Sequence, residues 1–139
     1  MRVIEPSAHQ PTGLAWLHLD YHLLKVLVDG ETVSAVLDWE NVALGEAGAD
    51  VARTLSLLSV DPGIWRLRGQ ARRTVRSFRR GYLAGYAEVA DLPGNSPGWL
   101  TWAGEFMLQD LGNRLDAAEL AQVARWTRYW QSAGRASHF

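Results

Sequence analysis

Residues 18–40 read HLDYHLLKVLVDGETVSAVLDWE and decide the fold. Asp29-Gly30 is a strong two-residue hairpin signal, and it lies between the aliphatic runs 26–28 and 33–37. A two-residue loop predicts that Val28 faces Glu31, Val26 faces Val33, Leu24 faces Ala35 and Tyr21 faces Asp38. The open end of this hairpin then brings Asp20 beside Asp38.

Two neighbouring carboxylates repel each other unless a cation or a proton lies between them. The pairing of Asp20 with Asp38 therefore predicts a bound metal, a basic side chain or a raised carboxyl pKa at this end of the hairpin. An alternative uses the alternation of His18, Asp20 and His22, which would share one face of a regular strand and form a transition-metal triad. If the segment is a loop, that spacing is chance.

The ordered motifs resemble a known enzyme family. His18-x-Asp20, the hairpin and Asp38-Trp39-Glu40 are similar to the catalytic loop and metal-binding segment of aminoglycoside phosphotransferases and choline-kinase-like enzymes, which are relatives of the protein kinases. Residues 41–53 resemble the next segment of that family, where a second acidic residue opens a helix. Several spaced elements agree in order, which is more specific than one motif.

The resemblance implies a role for each matched residue. His18 and Asp20 form the catalytic motif, with Asp20 as the acid-base group for an acceptor hydroxyl, while Asp38 binds magnesium against the nucleotide phosphates and Asp50 braces the loop. The implied reaction is ATP- and Mg²⁺-dependent phosphorylation of a small-molecule hydroxyl, of the aminoglycoside or amino-alcohol class.

The chain departs from the family pattern at the asparagine that follows the catalytic aspartate, where it has Lys25. An ammonium donates three hydrogen bonds and accepts none, so it cannot replace an amide oxygen on a metal. We therefore assign Lys25 to the cofactor site as a built-in cation between Asp20 and Asp38. The alternative is a solvent-facing lysine on the hairpin surface.

Apolar residues replace the polar or flexible positions of the family's loop at Leu19, where the family has glycine, and at Leu23-Leu24. Exposed leucines of this kind favour an interface. The resemblance also implies that the amino-terminal nucleotide lobe is absent, with only the carboxy-terminal lobe present. We expect phosphotransfer by this chain alone to be incomplete. The alternative function is a non-catalytic interaction or oligomerisation module with Leu19, Leu23 and Leu24 covered by a partner.

Beyond residue 46 the sequence predicts helices. Apolar periodicity and the breaks at Asp61-Pro62-Gly63 and residues 91–98 predict about four of them, at about 47–59, 64–89, 99–115 and 116–133. The predicted fold class is α+β and mostly helical, a protein-kinase-like carboxy-terminal lobe with a small β-hairpin. Residues 1–139 are predicted to form one domain, with a catalytic-loop hairpin region at 14–46 and a helical region at 47–139.

Composition indicates a soluble protein, with 47% hydrophobic and 21% charged residues and a net charge of −1. The apolar runs are too short for a membrane span, and zero cysteines suit a reducing interior, so we expect a cytoplasmic protein. Seven arginines between 66 and 80 form a basic patch, for which we expect a solvated or salt-bridged helix face rather than nucleic-acid binding. The expected partners are a small-molecule substrate and either a second copy in a homodimer or a separate nucleotide-lobe chain.

Overall fold

The computed structural model describes residues 2–4, 13–90 and 96–136. The predicted positions 91–95 of the extended loop lie outside these residues. Within them are five short strands, β1 (Arg2–Ile4), β2 (Ala15–Leu17), β3 (Val26–Asp29), β4 (Thr32–Val36) and β5 (Ala43–Gly45). Five α-helices follow, α1 (Ala47–Val60), α2 (Pro62–Trp65), α3 (Gly69–Val89), α4 (Pro97–Leu111) and α5 (Ala117–Ala136). The predicted α+β, mostly helical class is confirmed.

The described strands form two separate sheets. In the first, β5 lies centrally, parallel to β1 and antiparallel to β2. The second is the β3–β4 hairpin predicted from the Asp-Gly signal. The first sheet leads directly into α1, so the chain between β2 and β5 is held at both ends.

The predicted hairpin register is wrong. Asp29 pairs with Thr32 and Val28 with Val33, so the two loop residues are Gly30 and Glu31. Gly30 has φ +60°, the left-handed conformation that glycine adopts without a steric cost. The pairing then shifts at a bulge, because Leu27 lies opposite Ala35 rather than Ser34.

Helix α1 is the centre of the core. Only three of its residues are not fully buried, and its neighbours are β2 on one side and α4 on another. Leu55 packs in a cluster with Leu100 of α4, while Leu57 packs with Met107 of α4 and Val123 of α5. Helix α1 is therefore buried on nearly all sides, although it includes the polar residues Arg53, Thr54 and Ser56.

One long helix was predicted for residues 64–89, but two are present. Helix α2 ends at Trp65, and α3 starts at Gly69, whose φ of +57° is outside the right-handed helical region. Helix α3 lies at the edge of the fold, since Val75 is its only fully buried residue. Val89, the last residue of α3, is 84% exposed.

The arginines of α3 are exposed, and none of them forms an ion pair with a carboxylate of the described residues. A solvated face therefore describes these five arginines, whereas Arg66, which precedes α3, forms ion pairs with Asp116 and Glu119. Among the helices of the described ranges, none combines the length and the apolar character that crossing a membrane requires.

Candidate active site

The loop after β2 is fixed from below by side chains of α1. Asp50 Oδ1 accepts a hydrogen bond from the Leu19 backbone N–H at 2.6 Å, and Arg53 Nε donates to the Leu19 carbonyl at 3.2 Å. Leu19 has φ +63°, a strained conformation for a residue with a Cβ. Both of its backbone polar groups are therefore satisfied by one helix, which holds the strained residue in place.

Leu19 is a core residue rather than an interface residue. Its side chain is 1% exposed and packs with Leu17, Ala43 and Ala49. The prediction that Leu19 is exposed for a partner is wrong, because the left-handed backbone turns this side chain inward while the next residue, Asp20, points outward.

His18 connects the loop to the end of the hairpin. Its Nε2 lies 2.7 Å from the Leu37 carbonyl oxygen, and its Nδ1 lies 3.2 Å from the Asp20 backbone nitrogen. A carbonyl can only accept and an N–H can only donate, so the network assigns the proton to Nε2 and the lone pair to Nδ1. The ring also makes an edge contact with Trp39 at 4.7 Å between centroids. These contacts of His18 hold Asp38 close to Asp20.

Asp20, Lys25 and Asp38 form one ionic cluster. The Lys25 Nζ lies 3.3 Å from Asp20 Oδ2 and donates a hydrogen bond to Asp38 Oδ2. That hydrogen bond lowers the pKa of Asp38 and raises the pKa of Lys25. The structure therefore brings together the two acids expected at this end of the hairpin, with the lysine ammonium between them.

Asp50 is partly buried and Arg53 is fully buried, and both are ionisable. Burial raises the pKa of Asp50, and the backbone hydrogen bonds that it accepts work against that rise. Burial lowers the pKa of Arg53, whose guanidinium lies 3.6 Å from Asp110 and 5.0 Å from the ring centre of Phe106. Arg53 was missed as a site residue by sequence reasoning, although its spacing of three from Asp50 places both side chains on one helix face.

No metal triad forms at His18, Asp20 and His22. The His22 ring instead accepts from the Leu24 backbone N–H through Nδ1 at 3.3 Å, and burial lowers the pKa of His22. Within the described parts of the chain, no three or more His, Cys, Asp or Glu side chains gather to hold a metal. The spacing was chance, because the segment is a loop followed by a 3₁₀ turn at Leu23–Lys25.

Comparison with known proteins decides the family. The model of the phosphotransferase enzyme family (APH) matches residues 5–104, well over half of the chain. The chain belongs to this phosphotransferase family. The resemblance seen in the sequence is thereby confirmed, and phosphotransfer is the chemistry of the family. Neither the curated proteins nor the solved structures contain a match.

Phosphotransferases of this family generally use ATP and Mg²⁺. The residues around Asp38 do not fit a magnesium ion here, because the Lys25 ammonium is in hydrogen-bond contact with Asp38 and is near Asp20. Magnesium needs oxygen ligands in near-octahedral geometry, and an ammonium supplies only N–H donors.

Beside the acid pair of this phosphotransferase domain lies a cleft of about 460 Å³. Its walls come from the loop after Asp20, the end of α1, α2 and the first turns of α3. The lining residues are Asp20, His22, Leu23, Leu24, Leu57, Asp61, Gly63, Ile64, Leu67, Ala71, Thr74 and Val75. Aliphatic side chains dominate, with two carboxylates among them. The cleft is of the size that binds small molecules.

Proposed function

We propose that this chain is the acceptor-binding lobe of a small-molecule phosphotransferase, arranged as a protein-kinase-like carboxy-terminal lobe. The observation that supports the proposal is the position of Asp20, whose side chain belongs both to the ionic cluster with Lys25 and Asp38 and to the wall of the 460 Å³ cleft. An acceptor bound in that cleft would contact the Asp20 carboxylate at the edge of the cleft that adjoins the ionic cluster.

The proposed chemistry is that of the family, transfer of the γ-phosphoryl group of ATP to an acceptor hydroxyl, with the nucleotide and its metal ions held by a nucleotide-binding partner rather than by Asp38. The hydroxyl oxygen forms a bond to the γ-phosphorus, the bond to the ADP oxygen breaks, and the hydroxyl proton passes to Asp20. Positioning and charge neutralisation account for most of the catalysis in such reactions. Asp50, Arg53 and His18 would position Asp20 through the backbone of the loop, as their hydrogen bonds indicate.

The cleft favours an acceptor that is largely apolar, with a hydroxyl and a cationic amine. Burying an apolar ligand body against the aliphatic walls is favourable. The carboxylates of Asp20 and Asp61 can each accept a hydrogen bond from a ligand ammonium, which has the opposite charge. The acids of α4 and of the start of α5 have other partners. Asp110 contacts Arg53, Glu105 accepts a hydrogen bond from Gln131, and Asp116 and Glu119 contact Arg66.

A thermal-shift screen of amino alcohols, with and without an aliphatic body, tests this proposal. A ligand at 100 times its Kd stabilises the folded state by about 2.7 kcal/mol, which is measurable as a rise in Tm. We expect the aliphatic amino alcohols to raise Tm in the wild type, less in Asp61→Asn, and to the wild-type extent in Glu88→Gln, a control on the exposed face of α3. A shift equal in the wild type and Asp61→Asn would contradict the proposal.

A second candidate function is supported by a different surface. Leu27, Val28, Val33, Leu37 and Trp39 are large hydrophobic residues of the hairpin and its exit, and each is at least 40% exposed. A concentration of exposed apolar side chains in one segment is typical of an interface. It would serve a homodimer or a separate nucleotide-lobe chain.

Sedimentation velocity distinguishes these two partners. A homodimer predicts concentration-dependent association that is lost in Val28→Glu. A chain that stays monomeric over the micromolar range while keeping its cleft would contradict the homodimer and leave the nucleotide-lobe chain as the partner to add.

A further inference from the structure

The position of Lys25 departs from what the chemistry of the family requires. A carboxylate that holds a magnesium ion must leave room for it and must lack a competing cation. Here the ammonium lies within 3.3 Å of Asp20 and is hydrogen-bonded to Asp38. The cation of the site is therefore part of the chain.

We propose that Lys25 is the resident counter-ion of the acid pair and that it excludes divalent metal ions from Asp38. The proposal rests on the proposed function, since it concerns the same site. It adds that the wild-type domain keeps Asp20 and Asp38 together without a metal, and that one side chain separates this state from a metal-binding one.

The backbone holds Lys25 in this place. Its N–H donates to the His22 carbonyl at 2.9 Å, closing the 3₁₀ turn, and its own carbonyl accepts from the Leu37 N–H at 2.8 Å. The same peptide segment is thus tied to the catalytic loop on one side and to the residue before Asp38 on the other. Lys25 cannot leave the acids by a shift of the loop alone. Only rotation of its side chain would release them.

The electrostatic balance favours the lysine over a metal. The pair of carboxylates has a charge of about −2 and the ammonium compensates one of these charges, so an arriving Mg²⁺ would meet both a reduced attraction and a like charge at close range. Magnesium also loses its water shell reluctantly and needs several oxygen ligands. Asn in place of Lys25 would remove the positive charge and add a carbonyl oxygen.

The test is direct binding of Mn²⁺, a paramagnetic ion with the same preference for oxygen ligands, followed by electron paramagnetic resonance of the free ion. Four proteins are compared: the wild type, Lys25→Arg, Lys25→Asn, and Lys25→Asn combined with Asp38→Asn. Circular dichroism establishes that each is folded. Asn tolerates the left-handed φ of +64° at position 38, so the last variant keeps the backbone.

We expect Lys25→Asn to bind Mn²⁺ about tenfold or more tightly than the wild type, because it gains an oxygen ligand and loses a competing charge. Lys25→Arg keeps the cation and should bind as weakly as the wild type. The added Asp38→Asn change should abolish the gain. Equal affinities for the wild type and Lys25→Asn would overturn the proposal, as would a gain that survives the loss of Asp38.

This outcome is independent of the acceptor screen. Metal binding needs neither an acceptor nor a nucleotide, so failure of the amino-alcohol screen with success of the Mn²⁺ series would refute the proposed function alone. The reverse result would refute the role of Lys25 alone.

Discussion

Replacing Leu19 by Gly and by Ala separates two effects that oppose each other in the catalytic loop. Leu19 is 1% exposed and has φ +63°. Truncating a fully buried leucine to alanine costs about 2–5 kcal/mol. Removing the Cβ as well relieves roughly 1–2 kcal/mol of left-handed strain, and glycine gives back roughly 0.4–1 kcal/mol through the entropy of the unfolded chain. The lost burial therefore outweighs the relieved strain.

Both variants should be less stable than the wild type in urea unfolding, and Gly should be the more stable of the two by roughly 0.5–1 kcal/mol. Leu17 is a matched control, since it is equally buried on β2 and lies outside the positive-φ residues of the described chain. There the order should reverse, with Ala more stable than Gly by roughly 0.5–1 kcal/mol. If Ala is the more stable replacement at both positions, Leu19 is not held in a left-handed conformation and the account of the loop is wrong.

Three further predictions test the interactions of Asp50, Asp38 and Asp116. Asp50→Ala should destabilise the protein by roughly 1–3 kcal/mol because the buried Leu19 N–H loses its acceptor. Asp50→Asn keeps a carbonyl acceptor, removes a partly buried charge and should cost less, so equal losses in urea unfolding would exclude this role. The pKa of Asp38 is lowered, so its ion pair stabilises the folded protein at pH values above the unfolded-state pKa near 4, and this stability is lost as the pH falls through the folded-state pKa. Asp38→Asn should therefore lose less stability than the wild type in acid titrations. A steeper loss in the variant would contradict the ion pair. The Asp116 side chain accepts a hydrogen bond from the Glu119 N–H, and the Glu119 side chain accepts one from the Asp116 N–H, each at 2.9 Å. Asp116→Ala removes this helix cap and should lower the free energy of unfolding by about 1 kcal/mol. An unchanged urea midpoint would show that the cap contributes nothing.

Much of the site could be predicted from the sequence because it depends on local signals. The Asp29-Gly30 turn predicted the hairpin, and the hairpin alone was enough to expect Asp20 near Asp38 with Lys25 close by. The contact survives although the register was wrong, since the Leu37 N–H bonds to the Lys25 carbonyl and closes the ribbon at the expected end. A bulge is set by backbone geometry, and the alternation of side chains does not reveal it.

The remaining features depend on contacts between distant parts of the chain. Leu19 was expected on the surface because a loop has no periodicity from which burial can be inferred, and only its φ and its packing against Ala43 and Ala49 show where it points. The break between α2 and α3 was missed, because an isolated glycine such as Gly69 is tolerated in many helices and does not by itself predict a break. The cleft arises where α1, α2 and α3 meet the loop, so no single segment indicates it.

The most direct test of the central claim, that the cleft beside Asp20 is the acceptor site, is a titration of the methyl-labelled protein with an aliphatic amino alcohol followed by ¹H–¹³C NMR. The account predicts saturable shifts concentrated on the methyl groups of Leu23, Leu57, Ile64, Leu67 and Val75, with weaker binding in Asp61→Asn. Saturable shifts on the hairpin methyl groups of Val28 and Val33 with an unperturbed cleft would contradict it.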